Sequence, residues 1–129
     1  MIYSYASDEN CPFPIKALVH EFANGDLLVT VEGGVSHIGA VGLSQPRPSL
    51  SSPGRQRAST SLITVCGHRE DELVKEMSDL LVAATGRTVV LVAGIHFPKL
   101  LREDLGRLQE EWQLIAEQIG KVFKAEDDV

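Results

Sequence analysis

Apolar residues, several of them β-branched, are concentrated in four short segments of the first half of the chain. Short runs of this kind, separated by turn residues such as glycine, asparagine and proline, are typical of β-strands. Asn24-Gly25 stands between the first two segments and is a strong hairpin signal. The pattern therefore predicts four strands, at residues 15–22, 26–32, 37–43 and 58–65.

The second half of the chain changes to the helical period. Apolar residues recur at helical spacing from Leu73 to Ala84, and Gly86 follows as a helix-ending glycine. An almost unbroken apolar run at 88–95 is typical of a strand that lies well inside a sheet. A second amphipathic helix is predicted over residues 101–123.

These elements follow one another as β-β-β-β-α-β-α. The order predicts an α/β (α+β) domain with a single mixed sheet covered by two helices. The first three strands are expected to form an antiparallel meander, and a helical crossover makes the fourth and fifth predicted strands parallel. We interpret residues 1–14 as a loose N-terminal arm, 15–123 as a single domain and 124–129 as a C-terminal tail. Residues 44–57 contain three prolines and four serines and are predicted to be a long loop.

Composition narrows the classes of partner. The chain has 129 residues and a formal net charge of −6, which argues against general nucleic-acid binding. No apolar run is long enough for a membrane span, and the first residues lack the pattern of a secretory signal. Cys11 and Cys66 are expected to be free thiols. We therefore expect a cytoplasmic protein that binds neither nucleic acid nor membranes.

Three histidines, His37, His68 and His96, stand at predicted strand ends, each soon after a glycine. In the predicted topology the three histidines lie at the same end of the sheet, where these strands start or finish, so the imidazoles converge. Imidazole binds metal, hydrogen-bonds a phosphate or a flavin edge, or transfers a proton near neutral pH. A zinc or iron site would need these three histidines and a water or carboxylate, with Glu70–Glu72 nearby. The alternative for each histidine is a local hydrogen bond at a strand end.

Small residues and arginines add further candidates. Gly39 lies in a strand rich in small residues and shares a face with His37, so either a flat ligand ring or a closely packed helix fits there. The 44–57 loop offers phosphate ligands in Arg47, Ser49 and Arg55, with a solvated loop as the alternative. Gly67 opens a predicted helix next to His68, where free amides favour an anion. No nucleophile elbow, phosphate-binding loop or dinucleotide fingerprint occurs, so catalysis has little support.

The motifs GG-x-x-HIGAV, PRPSL, GH-x-EDE and AGIH occur in this order within 33–50, 57–77 and 85–100. Through them the chain, over about residues 15–120, resembles the LpdD-like family. That family includes the small D subunit encoded with gallate and hydroxybenzoate decarboxylases of the UbiD type. Two departures from the family pattern are Cys66 in place of proline and Phe97-Pro98 after the last histidine.

The resemblance implies a fold similar to proteasome-assembly chaperones and an accessory protein rather than a decarboxylase. It implies prenylated FMN as the cofactor, bound for delivery or maturation. The implied partners are a UbiD-type decarboxylase and a flavin prenyltransferase, with a homodimer expected. Two rival hypotheses are an assembly chaperone without a cofactor and a small metal-dependent enzyme built on His37, His68 and His96. The candidate cofactor-binding residues are His37, Gly39, Arg47, Ser49, Arg55, Gly67, His68 and His96.

Overall fold

The computed structural model describes residues 2–8, 10–48, 56–65 and 71–124. Six strands and two α-helices follow one another along this part of the chain. They are β1 (Ile2–Ala6), β2 (Ile15–Glu21), β3 (Leu27–Gly34), β4 (Ala40–Pro48), β5 (Gln56–Thr64), α1 (Asp71–Thr85), β6 (Val89–His96) and α2 (Leu105–Phe123), with a 3₁₀ turn at Arg102–Asp104 before α2.

All six strands form one mixed sheet in the order β1-β2-β3-β6-β4-β5. Strand β6 is central, runs parallel to β3 and antiparallel to β4, and the remaining neighbours pair antiparallel. Its position agrees with its apolar sequence, because a strand with neighbours on both sides is shielded from water. The predicted α+β class, with one mixed sheet and two helices, is confirmed.

Both helices pack on the same face of the sheet. Helix α1 contacts β4, β5 and β6, and α2 contacts β1, β2 and α1. The core lies between these layers, and its largest fully buried side chains include Phe123, Leu27, Met77, Leu81 and Leu91. The other face, which we call the open face, is not covered by a helix within the described ranges. No described helix is both long and apolar enough to cross a membrane.

The prediction of a loose arm over residues 1–14 is wrong for its first part. Residues Ile2–Ala6 form the edge strand β1, which pairs antiparallel with β2 from Ile2↔His20 to Ala6↔Lys16. Tyr3 packs its ring edge-to-face against Phe123 at a centroid distance of 4.9 Å. Burial of one tyrosine against α2 stabilises a segment whose polar composition alone suggests disorder.

Strand β4 also departs from the prediction. It does not continue a meander beside β3, because β6 lies between the two strands. It also runs on to Pro48, so the connection to β5 is shorter than the predicted 44–57 loop. Beyond Ser44, which pairs with Val89, β4 has only β5 as a neighbour. Proline is tolerated in such a one-sided extension because fewer ladder hydrogen bonds are required.

Candidate functional site

Strands β3, β5 and β6 finish, and β2 and β4 begin, at the same end of the sheet. We call it the histidine end, because His96 closes β6 and His37 lies just before β4. The opposite end, where β4 finishes and β6 begins, is the loop end. The two described histidines of the predicted trio are therefore brought to one end, as the strand directions implied.

The connection from β3 to β4, residues 35–39, crosses over the end of β6 on the open face. Gly34 turns the chain with a φ of +64°, and the Val35 amide donates to the His96 carbonyl at 2.8 Å. The Gly39 amide then donates to the Ala93 carbonyl at 2.9 Å. A Cβ at Gly94 would overlap the His37 carbonyl, so only glycine permits this crossing.

Gly94 is a residue that we did not single out from the sequence. Its signal was nevertheless present, since a glycine inside an apolar strand run often marks a close approach by another backbone. In this chain the approaching backbone is that of His37. The position of His37 over β6 therefore depends on Gly94.

The imidazoles of His37 and His96 are both at least partly exposed on the side of the open face. His96 is exposed and follows the alternation of β6 toward that face, while the His37 side chain is partly exposed. One ring nitrogen of His37, Nδ1, hydrogen-bonds the Val35 carbonyl at 2.9 Å. If Nδ1 carries the proton in this bond, Nε2 is the acceptor nitrogen. The local hydrogen bond is therefore present for His37, and ligand binding by this residue stays a prediction.

The third histidine, His68, and its neighbour Gly67 lie outside the described residues. The end of β5 is described, and the Val65 amide donates to the Gly39 carbonyl at 2.8 Å, so that strand finishes at the histidine end. That His68 lies close to His37 and His96 stays a prediction. Within the described ranges, no group of three or more histidine, cysteine, aspartate or glutamate residues could hold a metal ion.

The small residues of β4 mainly serve helix packing. A Cβ at Gly42 would lie 2.7 Å from Val74 and 3.2 Å from the Ser78 hydroxyl, both on α1. Ala40 is fully buried on the same side of the sheet. Gly39 lies in the crossing segment and is buried. Of the two interpretations, close contact with a helix holds for Gly42. The glycine of β4 therefore faces α1 and does not form a flat surface for a ligand ring on the open face.

Arg47 lies at the other end of β4 from His37 and is exposed. Ser49 and Arg55 lie outside the described residues. A strand rises by about 3.3 Å per residue, so Arg47 and the start of β4 are roughly 20 Å apart within one chain. Arg47 and His37 or His96 of the same chain therefore do not meet at one small ligand.

An ion pair borders the histidine end on the open face. Lys16 Nζ lies 2.9 Å from Glu32 Oε1, and both side chains remain partly exposed. The hydrogen bond from Lys16 is the main cause that lowers the pKa of Glu32 below its ordinary value, and burial partly opposes it. The sequence pattern alone did not indicate this pair, because Lys16 and Glu32 face each other only through the β2–β3 register.

Replacing Lys16 with methionine is expected to raise the pKa of Glu32 toward its ordinary value. Because the folded-state pKa is lowered, the pair stabilises the fold above the ordinary glutamate range, and that stabilisation is lost as the pH falls. NMR titration of the Glu32 carboxyl carbon measures the shift, with Lys75→Met, which removes an exposed pair with Asp79, as the control. An unchanged Glu32 titration would show that Lys16 does not set this pKa.

A cavity lies at the loop end, away from the histidines. Its volume is about 510 Å³, and it is mainly apolar. It is lined by Phe22, Leu43 and Val90, with Asn24, Asp26 and Thr88 at its polar margin. A second, more polar cavity of about 430 Å³ adjoins it beside Arg87. Sequence reasoning missed both, since their walls come from strands that only the tertiary structure makes neighbours.

Comparison with known proteins agrees with the motifs. A family model described as the prenylated flavin chaperone LpdD-like domain matches residues 10–124. The chain belongs to this LpdD-like family. The match supports a chaperone role for prenylated flavin and an association with prenylated FMN. No curated protein matches the chain.

The fold of this LpdD-like chain is similar to that of a proteasome-assembly chaperone. The solved structure is titled "Crystal Structure of a Novel Chaperone Complex for Yeast 20S Proteasome Assembly". The alignment has a TM-score of 0.59 at 8% sequence identity and covers 96% of this chain and 98% of the other. At this identity the likeness establishes the fold alone.

Proposed function

We propose that this protein is a non-catalytic accessory protein that binds prenylated FMN. It assists the delivery or maturation of the cofactor for a UbiD-type decarboxylase in the cytoplasm, with the flavin prenyltransferase as a further partner. The family match over residues 10–124 is the observation that carries the proposal.

The arrangement of side chains is consistent with binding a flavin. His37 and His96 offer hydrogen-bonding nitrogens at the histidine end, and the adjoining open face offers apolar surface for a ring system. In the proposal, His68 and Gly67 complete this end, while Arg47, Ser49 and Arg55 of a second copy in the expected homodimer bind the phosphate. The role of Gly39 is to shape the crossing segment that carries His37.

In the proposal, the chain binds the cofactor and does not catalyse a reaction itself. In the proposal, the histidines at the strand ends bind the cofactor and are not combined with the nucleophile and oxyanion donors that a hydrolytic or acyl-transfer site requires. The function that this geometry supports is to hold the reduced flavin and release it to a second protein.

Anaerobic titration with reduced prenylated FMN tests the proposal. We expect saturable binding, weaker binding of unprenylated FMN, and faster activation of an apo-decarboxylase when the protein is added. The protein alone should release no carbon dioxide from the decarboxylase substrate. Absence of flavin binding, with improved decarboxylase assembly, would favour a pure assembly chaperone. Stoichiometric metal together with turnover by the isolated protein would favour the metal-dependent enzyme.

A further inference from the structure

Strand β5 lies at one edge of the sheet, and among the described strands only β4 is its neighbour. Edge strands expose unpaired amides and carbonyls, so proteins usually shorten them or place charges and prolines on them. The other edge strand, β1, has five residues, whereas β5 has nine. From Ala58 to Val65 the sequence ASTSLITV contains neither a charged residue nor a proline. The edge of β5 is therefore left without these protections.

A hydrogen bond at the end of β5 shows which of its peptide groups face outward. The Val65 amide donates to the Gly39 carbonyl at 2.8 Å, so the peptide group of Val65 faces β4. In an antiparallel pair the peptide groups of successive residues point to opposite sides, and Ile63, opposite Val41, therefore faces β4 as well. The residues between them direct amide and carbonyl away from the sheet. We call these residues the outer edge, and they are Ala58, Thr60, Leu62 and Thr64.

The outer edge combines free backbone groups with apolar side chains. Thr60 Oγ1 donates to Asp79 Oδ1 at 3.1 Å, which places the side chains of the outer edge on the side of α1. Leu62, on this side, is 37% exposed, and Ile63, on the opposite side, is 74% exposed. An added strand would cover both side chains while its backbone extends the sheet. In strand addition of this kind, main-chain hydrogen bonds supply affinity and alternate side chains supply specificity.

Helix α1 presents charged residues to a strand on the outer edge. Asp71, Lys75 and Asp79 recur every four residues and share one side of α1, and the contact of Asp79 with Thr60 shows that this side adjoins β5. Asp71 precedes Asp79 by about 12 Å of helix. Thr64 follows Thr60 by about 13 Å of strand. Because α1 leads back along the sheet from the end of β5 to the start of β6, Asp71 stands near the level of Thr64.

These charges make the outer edge suited to a basic segment. Lys75 Nζ lies 2.6 Å from Asp79 Oδ2, so these two charges offset each other. Asp71 is exposed and has no ion-pair partner among the described residues. A lysine or arginine of an added strand, placed beside Thr64 on the side of α1, would face this carboxylate. The formal net charge of −6 attracts a basic segment over longer distances as well.

The outer edge leads to the candidate cofactor site. Val65, at the end of β5, is bonded to Gly39, and Gly39 belongs to the crossing segment that carries His37. One end of an added strand therefore stands at the histidine end. In the proposed function, the protein that receives the flavin must approach this end. A segment of the receiving decarboxylase is the occupant that the position of the outer edge favours.

We propose that the outer edge of β5 binds an extended segment of the apo-decarboxylase as an added strand of the sheet. The segment runs antiparallel to β5, since antiparallel pairing is slightly more stable per residue. It carries apolar residues on the side of Ile63 and a lysine or arginine opposite Asp71. This inference rests on the proposed function for the identity of the occupant. The outer edge holds the decarboxylase in place, while the histidines hold the flavin that is to be transferred.

Hydrogen exchange of single amides, read by NMR after the complex has been dissociated, tests which backbone groups are used. In the free chain the amides of Ser59, Ser61 and Ile63 should exchange slowly, whereas those of the outer edge should exchange fast. Addition of the apo-decarboxylase should slow the amides of the outer edge by about 10-fold or more. Slow exchange of these amides in the free chain would show that the edge is already paired, for example with a second copy. That result, or unchanged exchange in the complex, would overturn the proposal.

A proline at position 62 tests the edge by mutation. Leu62→Pro removes an outward amide and no bond to β4, so an edge strand tolerates it. We expect this variant to bind the apo-decarboxylase about 10-fold more weakly, because one hydrogen bond is lost and the ring hinders close approach. Leu62→Thr is the matched control, since it removes the same leucine but keeps the amide, and it should stay within about threefold of the parent. Circular dichroism and flavin affinity like those of the parent show that both variants are folded.

Peptides test the same edge without any variant of this chain. An array of overlapping peptides that covers the decarboxylase sequence identifies the segment that binds. N-methylation of alternate amides should abolish binding in one pattern, in which the amides face β5, and spare it in the other. Asp71→Asn should weaken this peptide by about threefold at low salt and have little effect at high salt. Equal effects of both methylation patterns would overturn strand addition.

The failure of this inference can be distinguished from that of the proposed function. If the parent and Leu62→Pro bind the apo-decarboxylase equally well, the outer edge is not the contact, and the proposed function stands. If the parent binds reduced prenylated FMN but no decarboxylase, the proposed delivery fails, and the proposed occupant of the edge fails with it.

Discussion

Replacing Gly94 with alanine is expected to lower the free energy of unfolding by about 3 kcal/mol, the upper end of the usual cost of overpacking. The added methyl group would occupy the position of the His37 carbonyl, and backbone cannot move aside as the tip of a flexible side chain can. The crossing segment must therefore lift away from β6. Its hydrogen bonds from Val35 to His96 and from Gly39 to Ala93 would be strained as it does so.

Urea denaturation followed by circular dichroism measures this effect. Gly106→Ala is the matched control, since a Cβ at Gly106, in the first turn of α2, would point into open space. This control should be stabilised by about 0.5 kcal/mol, because alanine favours helix more than glycine does. Equal stability of Gly94→Ala and the parent would show that the crossing segment does not rest on β6 as described.

Loss of His37 and His96, the two described histidines at the histidine end, is expected to have the largest effect on binding. The double variant His37→Ala/His96→Ala should bind reduced prenylated FMN at least 100-fold more weakly, which corresponds to about 3 kcal/mol. Each imidazole is expected to supply a hydrogen bond to a charged ligand, worth about 1.5–3 kcal/mol. Isothermal titration under anaerobic conditions gives the affinity.

The fourth histidine of the chain provides the control. His20 lies at the opposite end of the open face and packs edge-to-face on Phe22 at a centroid distance of 4.9 Å. His20→Ala should keep flavin affinity within about threefold of the parent, unlike the double variant. Circular dichroism should show both variants folded, since His96 is exposed and His37 is only partly buried. Parental affinity in the folded double variant would make these histidines structural, even within the LpdD-like family.

Local patterns predicted most of the elements correctly. Short apolar runs rich in β-branched residues located β2, β3 and β5 to within a few residues, and the helical period located α1 and α2. These predictions succeed because strand and helix periods depend on near neighbours along the chain. Strand β1 escaped notice because its stability comes from pairing with β2 and from the contact of Tyr3 with Phe123, neither of which is local.

The candidate site, like the fold, was predictable from the sequence in part only. The sequence by itself determined the residue types, the glycines before the histidines and the strand directions that send His37 and His96 to one end. Only the tertiary structure decided that β6 inserts between β3 and β4, since strand order depends on burying the most apolar strand and not on the order of the chain. That insertion makes residues 35–39 cross over Gly94, which places His37 beside His96. It also leaves Arg47 and the apolar cavity at the opposite end, because the length of a strand separates them within one chain.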